Sequence, residues 1–246
     1  MSSNKLNQHS LTGSHFGYSG ADLSDLGATE YTLVSIIVDQ SSSVSSYKNE
    51  MEKCIQEVVK ACKFSPRSDY LLIRLVAFSN DMQEIHGFKQ LIDCDTADYD
   101  NCIHPSGMTS LFSTAKNAID ATNDYGKQLS NSDFEANAII FIITDGMDNA
   151  SGSIEVDDVS SSLKNIMKEE ALESVMSILI GVGVGGYQDV SDYLDDFKTE
   201  AGLNQYIEIK NATEKQLAKL ADFISKSVSS QSQSLGSGSM SQPLNF

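Results

Sequence analysis

Basic side chains are scarce: 17 lysines and arginines stand against 34 aspartates and glutamates, a formal net charge of -17. A field of that sign repels phosphate backbones and argues against nucleic-acid binding through general electrostatics. It gathers divalent cations and basic partners instead, an attraction that physiological salt screens. Long apolar runs are missing too, and no stretch reaches the length that spans a bilayer. The opening residues, MSSNKLNQHS, lack the apolar core of a secretory signal, so the expectation is a soluble, cytoplasmic protein. None of the four cysteines forms a C-x-x-C pair. Zinc held by His86, Cys94, Cys102 and His104 is the weaker expectation, and a Cys94–Cys102 disulfide would suit an exported protein. Free thiols in a reducing compartment fit best. His9, His15, His86 and His104 share no arrangement with a serine or cysteine nucleophile.

What is present is enough for one sizeable core, with 40% hydrophobic residues in 246. Residues 1–30 are polar and Gly/Ser-rich and read as an arm; residues 229–246, SQSQSLGSGSMSQPLNF at their core, read as a low-complexity tail. That tail closes on Pro243, Leu244 and Phe246, which suggests a disordered end or, less readily, a short docking peptide. Between them, over 31–228, strand and helix patterns alternate. The strands are YTLVSIIV, YLLIRLVAF, a short edge strand within Met82–Ile92, NAIIFIIT, SVMSILIGVG and QYIEI. Helical spacing recurs over Tyr47–Cys62, Leu111–Tyr125, Val159–Leu172, Val190–Glu200 and Thr213–Val228. Near-continuous apolar strands alternating with helices predict an α/β fold. The expected sheet is doubly wound and mostly parallel, with helices on both faces and one short antiparallel edge strand. Such sheets bind ligands outside the carboxyl ends of their strands, where strand order reverses.

The first strand ends there on an unusual stretch, IIVDQSSSVSS. Asp39, Ser41 and Ser43 occupy alternate positions, and in an extended loop alternate side chains point the same way. Oxygen donors suit hard divalent cations; the plain alternative is a serine-rich loop whose aspartate caps the next helix. Two more stretches bring oxygen to the same end of the sheet, Thr109 in SGMTSLF and Asp145 closing IIFIITDGMDN. Asp148 and Asn149 follow as either outer-sphere oxygens or helix caps. With these residues in hand, the chain resembles the von Willebrand factor type A domain over roughly residues 30 to 228. That family carries a metal-ion-dependent adhesion site built from D-x-S-x-S, a threonine from a second loop and an aspartate closing a third strand. The resemblance implies that Asp39, Ser41, Ser43, Thr109 and Asp145 hold Mg²⁺ or Mn²⁺. One departure stands out: Ser42 occupies the position where the family usually has glycine.

The resemblance implies binding rather than catalysis. Neutral hydroxyls leave a cation short of negative charge, so a partner's Asp or Glu carboxylate completes the shell. The expected function is therefore a non-enzymatic, metal-dependent protein-binding module, whose relatives often work with ATPases or in multiprotein assemblies. The competing expectation is a scaffold that self-assembles through its two terminal arms, with the metal site secondary. A phosphatase would need D-x-D, and Ser41 removes the proton-transfer group. Gly181, Gly183 and Gly186 satisfy G-x-G-x-x-G, yet Asp189 would sit where a pyrophosphate belongs, so a glycine-lined strand end is the better reading.

Overall fold

The computed structural model of the chain describes residues 6–46, 48–184, 188–211, 213–237 and 246. Tyr47, Gly186, Pro243 and Leu244, at which the sequence raised expectations, lie outside the described residues. The strands are β1 (Asn7–His9), β2 (Tyr18–Gly20), β3 (Glu30–Asp39), β4 (Leu71–Phe78), β5 (Met82–Gln90), β6 (Glu135–Thr144), β7 (Val175–Val182) and β8 (Gln205–Ile209). The helices are α1 (Lys48–Lys63), α2 (Leu111–Ser130), α3 (Val156–Lys168), α4 (Gln188–Ala201) and α5 (Glu214–Ser237).

The strands form one sheet in the order β1-β2-β5-β4-β3-β6-β7-β8. Strands β3, β4, β6, β7 and β8 are mutually parallel, and β5 runs against β4. Alternation of side chains across β3 divides its apolar residues between two cores. Val34, Ile36 and Val38 face α1 and α5, and Leu33 and Ile37 face the layer of α2, α3 and α4. The helical periodicity of α1 is used as expected: Met51, Cys54, Ile55, Val58, Val59 and Cys62 are all buried against the sheet. The fold is thus the doubly wound α/β sheet. Chain order reverses at β3, which lies between β4 and β6, so the ends of β3 and β6 form the crevice.

The two ends of the chain differ from expectation. The predicted edge strand is β5, but β2 and β1 lie outside it, so residues 6–21 extend the sheet instead of forming a free arm. Their composition is polar, and tertiary contacts supply what propensity does not. Gly87 of β5 lets the backbone of Ser19 approach so closely that a Cβ there would lie 2.0 Å from the Ser19 carbonyl oxygen. Tyr18 is 1% exposed and its hydroxyl donates to Asp124 at 2.6 Å. Covering β5 also moves the edge of the sheet to β1, a three-residue strand too short to be a ready template for aggregation.

At the other end, α5 runs nine residues past Val228, to Ser237, through the stretch read as low-complexity tail. Its polar residues are buried where strands need partners. Gln231 donates to the carbonyl of Ala138 at 3.0 Å and the hydroxyl of Ser174 at 2.9 Å, and its own carbonyl accepts from Asn137 at 2.6 Å. Arg67 donates to the hydroxyl of Ser232 at 3.1 Å. Phe246 packs edge-on to Phe223 under the ammonium of Lys219. Both segments invoked for self-assembly therefore lie, in their described parts, on their own domain. Gln231→Ala is expected to cost about 2 kcal/mol in urea unfolding, because it strands buried acceptors. Gln233→Ala, on the exposed side of the same turn, should cost nothing measurable.

Candidate metal centre

Asp39 is the last residue of β3, and it is 1% exposed. Its Oδ1 accepts the backbone N–H of Ser41 at 2.7 Å, which turns the chain immediately after the strand. Its Oδ2 accepts the hydroxyl of Thr144, the last residue of β6, at 2.6 Å. Burial pushes this carboxyl up to about 6, reinforced by the charge of Asp145 and opposed by the Thr144 and Ser41 hydrogen bonds.

The serines do not sit in an extended loop, as alternate spacing suggested; Ser42–Ser46 form a 3₁₀ turn. The turn still gathers the hydroxyls. Ser41 Oγ and Ser43 Oγ are 3.0 Å apart, and Ser43 donates to Asp145 Oδ1 at 2.9 Å. Asp39, Ser41, Ser43 and Asp145 thus meet at the ends of β3 and β6. Thr109 arrives from the loop before α2 and is 4% exposed. Its hydroxyl oxygen lies 3.8 Å from the position a Cβ on Gly146 would take, which places it beside the loop that carries Asp145.

Asn149, read in the sequence as an outer-sphere oxygen or a helix cap, holds Thr109 there. The side chain of Asn149 accepts the Thr109 N–H at 2.7 Å, while the Thr109 carbonyl accepts from Asn149 and Ala150 at 2.9 and 3.1 Å. The preceding segment is fastened to the turn after β3. Gln40 accepts from His104 through its side chain at 2.9 Å and from Ser106 through its carbonyl at 2.9 Å. Ser42 donates both its N–H, at 3.1 Å, and its hydroxyl, at 3.0 Å, to the carbonyl of Gly107. Gly107 has φ of +73°, and a Cβ there would lie 2.0 Å from Asn80 Oδ1, the atom that accepts the Met108 N–H at 2.6 Å. Ser42 is therefore a clasp between two site loops, a role that glycine at this position cannot take through a side chain. Asp148 acts as a cap, though for α2: its Oδ1 accepts the N–H of Phe112 at 3.1 Å and the hydroxyl of Ser151.

The other candidates are engaged elsewhere. His86 has one ring nitrogen against the Tyr99 hydroxyl and the other against the Gly87 carbonyl, each at 3.0 Å; burial pushes it down to about 4. Cys54, Cys62, Cys94 and Cys102 are buried free thiols. Gly181 is packed so tightly that a Cβ would lie 2.8 Å from the Tyr206 hydroxyl, a packing reason for this glycine. Among the described residues, no three His, Cys, Asp or Glu side chains gather as a metal group. The crevice has two carboxylates, and its other oxygens are hydroxyls. Nor is any described helix long and apolar enough to cross a membrane.

Comparison with known proteins agrees with this architecture. Solved structures that resemble it include the PilB minor pilin of Streptococcus sanguinis, with a TM-score of 0.56, 15% identity and coverage of 85% of this chain and 63% of that one. Proximal thread matrix protein 1 from the mussel byssus, in a form with a zinc-occupied MIDAS motif, gives a TM-score of 0.53 at 16% identity, covering 83% of this chain and 47% of that one. A conserved hypothetical protein, BatB from Bacteroides thetaiotaomicron, gives 0.51 at 13% identity and covers 79% of this chain and 98% of that one. The chain thus spans about half to two thirds of the pilin and byssus chains, and at these identities the likeness is one of fold. No curated protein sequence matches the chain. The sequence profile of the von Willebrand factor type A domain matches residues 34–223, from the middle of β3 into α5. The chain belongs to the von Willebrand factor type A domain family.

Proposed function

We propose that this domain recognises a protein partner through a divalent cation held by Asp39, Ser41, Ser43, Thr109 and Asp145. The observation that carries the proposal is the spacing of the oxygens. Adjacent ligands of an octahedral ion at about 2.0–2.1 Å stand about 2.8–3.0 Å apart. The Ser41–Ser43 and Ser43–Asp145 pairs are separated by 3.0 and 2.9 Å. Three of the five oxygens are neutral hydroxyls, and a site with two carboxylates and room for water suits Mg²⁺ or Mn²⁺ best.

Asp39 is already committed to Ser41 and Thr144 and sets the turn that presents the serines. A bound cation would supply an electrophilic point that takes one more anionic oxygen, from an exposed Asp or Glu of the partner. No lysine or arginine occurs in residues 39–46, 104–112 or 144–151, so no side-chain cation of these loops competes for that carboxylate. Ser41, a neutral hydroxyl, stands two residues after Asp39 where D-x-D hydrolases carry their proton-transferring acid, which favours binding over catalysis.

The test is capture of a partner from native lysate by the immobilised full chain in Mg²⁺, in EDTA, and with Asp39→Ala. Loss of capture in both of the latter is expected; a partner retained in EDTA and by the variant would sink the proposal. The clasp makes a graded prediction. Ser42→Ala removes one hydrogen bond, about 1 kcal/mol, and should weaken Mg²⁺ binding roughly fivefold by calorimetry.

A further inference from the structure

Large apolar side chains are seldom exposed on this protein. Among the described residues, the exposed ones are Phe64, Ile92, Met108, Met147 and Met167. Two of the five border the crevice: Met108 precedes Thr109 and is 49% exposed, while Met147 is two residues beyond Asp145 and 41% exposed. Single exposed apolar residues need no explanation, but two on separate loops bordering the same crevice form a surface. Behind Met147 the surface continues. Phe112 donates its N–H to Asp148, and its ring stacks on Tyr193 with centroids 6.4 Å apart and planes at 17°. Both rings are half-buried.

We infer that the partner's carboxylate is flanked by a bulky apolar side chain that packs on the rim formed by Met108, Met147 and the Phe112–Tyr193 pair. The inference rests on the metal-bridged reading of the site and adds the chemistry of the partner's neighbouring residue. Charge supports this choice. With no lysine or arginine in the three loops, no side-chain cation there selects a second acidic group, and the exposed methionines offer apolar contact instead. Methionine suits such a rim because its unbranched, polarisable side chain adapts to the shape of what it meets. Stacked Phe112 and Tyr193 give the rim a rigid floor that loses little freedom on binding.

The experiment uses the full chain with ¹³C-labelled methionine methyls and two capped pentapeptides. One carries aspartate between two leucines with a glycine at each end; the other replaces both leucines with serine. In Mg²⁺, the leucine peptide should bind roughly fivefold more tightly, the gain from partly burying one such side chain. It should also move the Met108 and Met147 resonances and leave that of Met167 in place. The double variant Met108→Ser, Met147→Ser should remove the preference while keeping Mg²⁺ affinity, a check that the site remains folded. Equal, Mg²⁺-dependent binding of both peptides would overturn the apolar rim and leave the metal-bridged reading standing. Binding unaffected by EDTA would overturn the metal-bridged reading, and the inference with it.

Discussion

Mg²⁺ at a hundred times its dissociation constant should raise the melting temperature by roughly 5–10 °C at neutral pH. The gain is about 2.7 kcal/mol of linked stability, at about 2–4 °C per kcal/mol for a domain of this size. Asp39→Asn should abolish that shift and, in EDTA, melt higher than the wild type. The second effect follows from burial. Asp39 titrates near 6 in the fold against an ordinary 3.8, so between those values the native state holds more protons than the unfolded chain. Stability from this group is therefore full below about pH 4, falls as pH rises through 6, and stays low at pH 7. Asparagine carries no such penalty, of the order of 3 kcal/mol. Its amide still accepts from Ser41, and the Thr144 hydroxyl, which already accepts from Gly146 at 3.2 Å, can reorient. Scanning calorimetry at pH 4 and pH 7, with and without Mg²⁺, gives the answer. The advantage of the variant should be present at pH 7 and absent at pH 4. A variant that still gains from Mg²⁺ would show that the ion binds elsewhere.

The crevice was legible because its chemistry is local in sequence at each of its three pieces. D-x-S-x-S is contiguous in sequence, and β3, which ends on Asp39, and β6, which Asp145 follows, are continuous apolar runs whose pairing the topology dictates. The way the serines converge was not legible. Alternate spacing implied an extended loop, whereas the Asp39–Ser41 hydrogen bond turns the chain into a 3₁₀ segment that gathers the same hydroxyls. Gln40 and Asn80 were invisible for another reason, and Asn149 was visible only as an outer-sphere oxygen or helix cap, without its bond to Thr109. Each acts through one hydrogen bond to a backbone group far along the chain, and no motif announces such a partner. Ser42 was visible only as a departure from glycine, and its bond to Gly107 gives the departure a purpose. The ends of the chain misled for the reason that composition usually misleads. Serine- and glutamine-rich residues look solvated until a strand such as β6 offers Asn137 and the Ala138 carbonyl as buried partners.

Glu84→Ala should be the most damaging single substitution outside the apolar core, lowering stability by about 3 kcal/mol and the melting temperature by roughly 6–12 °C. Arg74 lies in the middle of β4 and is 2% exposed. Its Nε donates to Glu84 Oε1 at 2.7 Å and its Nη2 to Asn117 Oδ1 at 3.1 Å, while Nη1 has no partner among the described residues. Burial already disfavours the guanidinium's charge, and Glu84 is the group that opposes this. Removing the carboxylate leaves a cation in the sheet with one neutral acceptor, the costly half of a broken buried pair. Glu84 keeps 22% of its side chain in solvent, which places the loss at the lower end of the range for such pairs. The same carboxylate accepts the N–H and hydroxyl of Ser19 at 3.0 and 2.7 Å, so the seat of β2 goes with it. Amide exchange at residues 18–20 should therefore quicken well beyond the global change in stability, while exchange in β6 follows the global change alone. Replacing both partners, Arg74→Leu with Glu84→Leu, should cost less than Glu84→Ala, because no charge is then left stranded. A double variant as unstable as the single one would mean that the pair acts through packing, and the seat of β2 would then depend on shape rather than on charge.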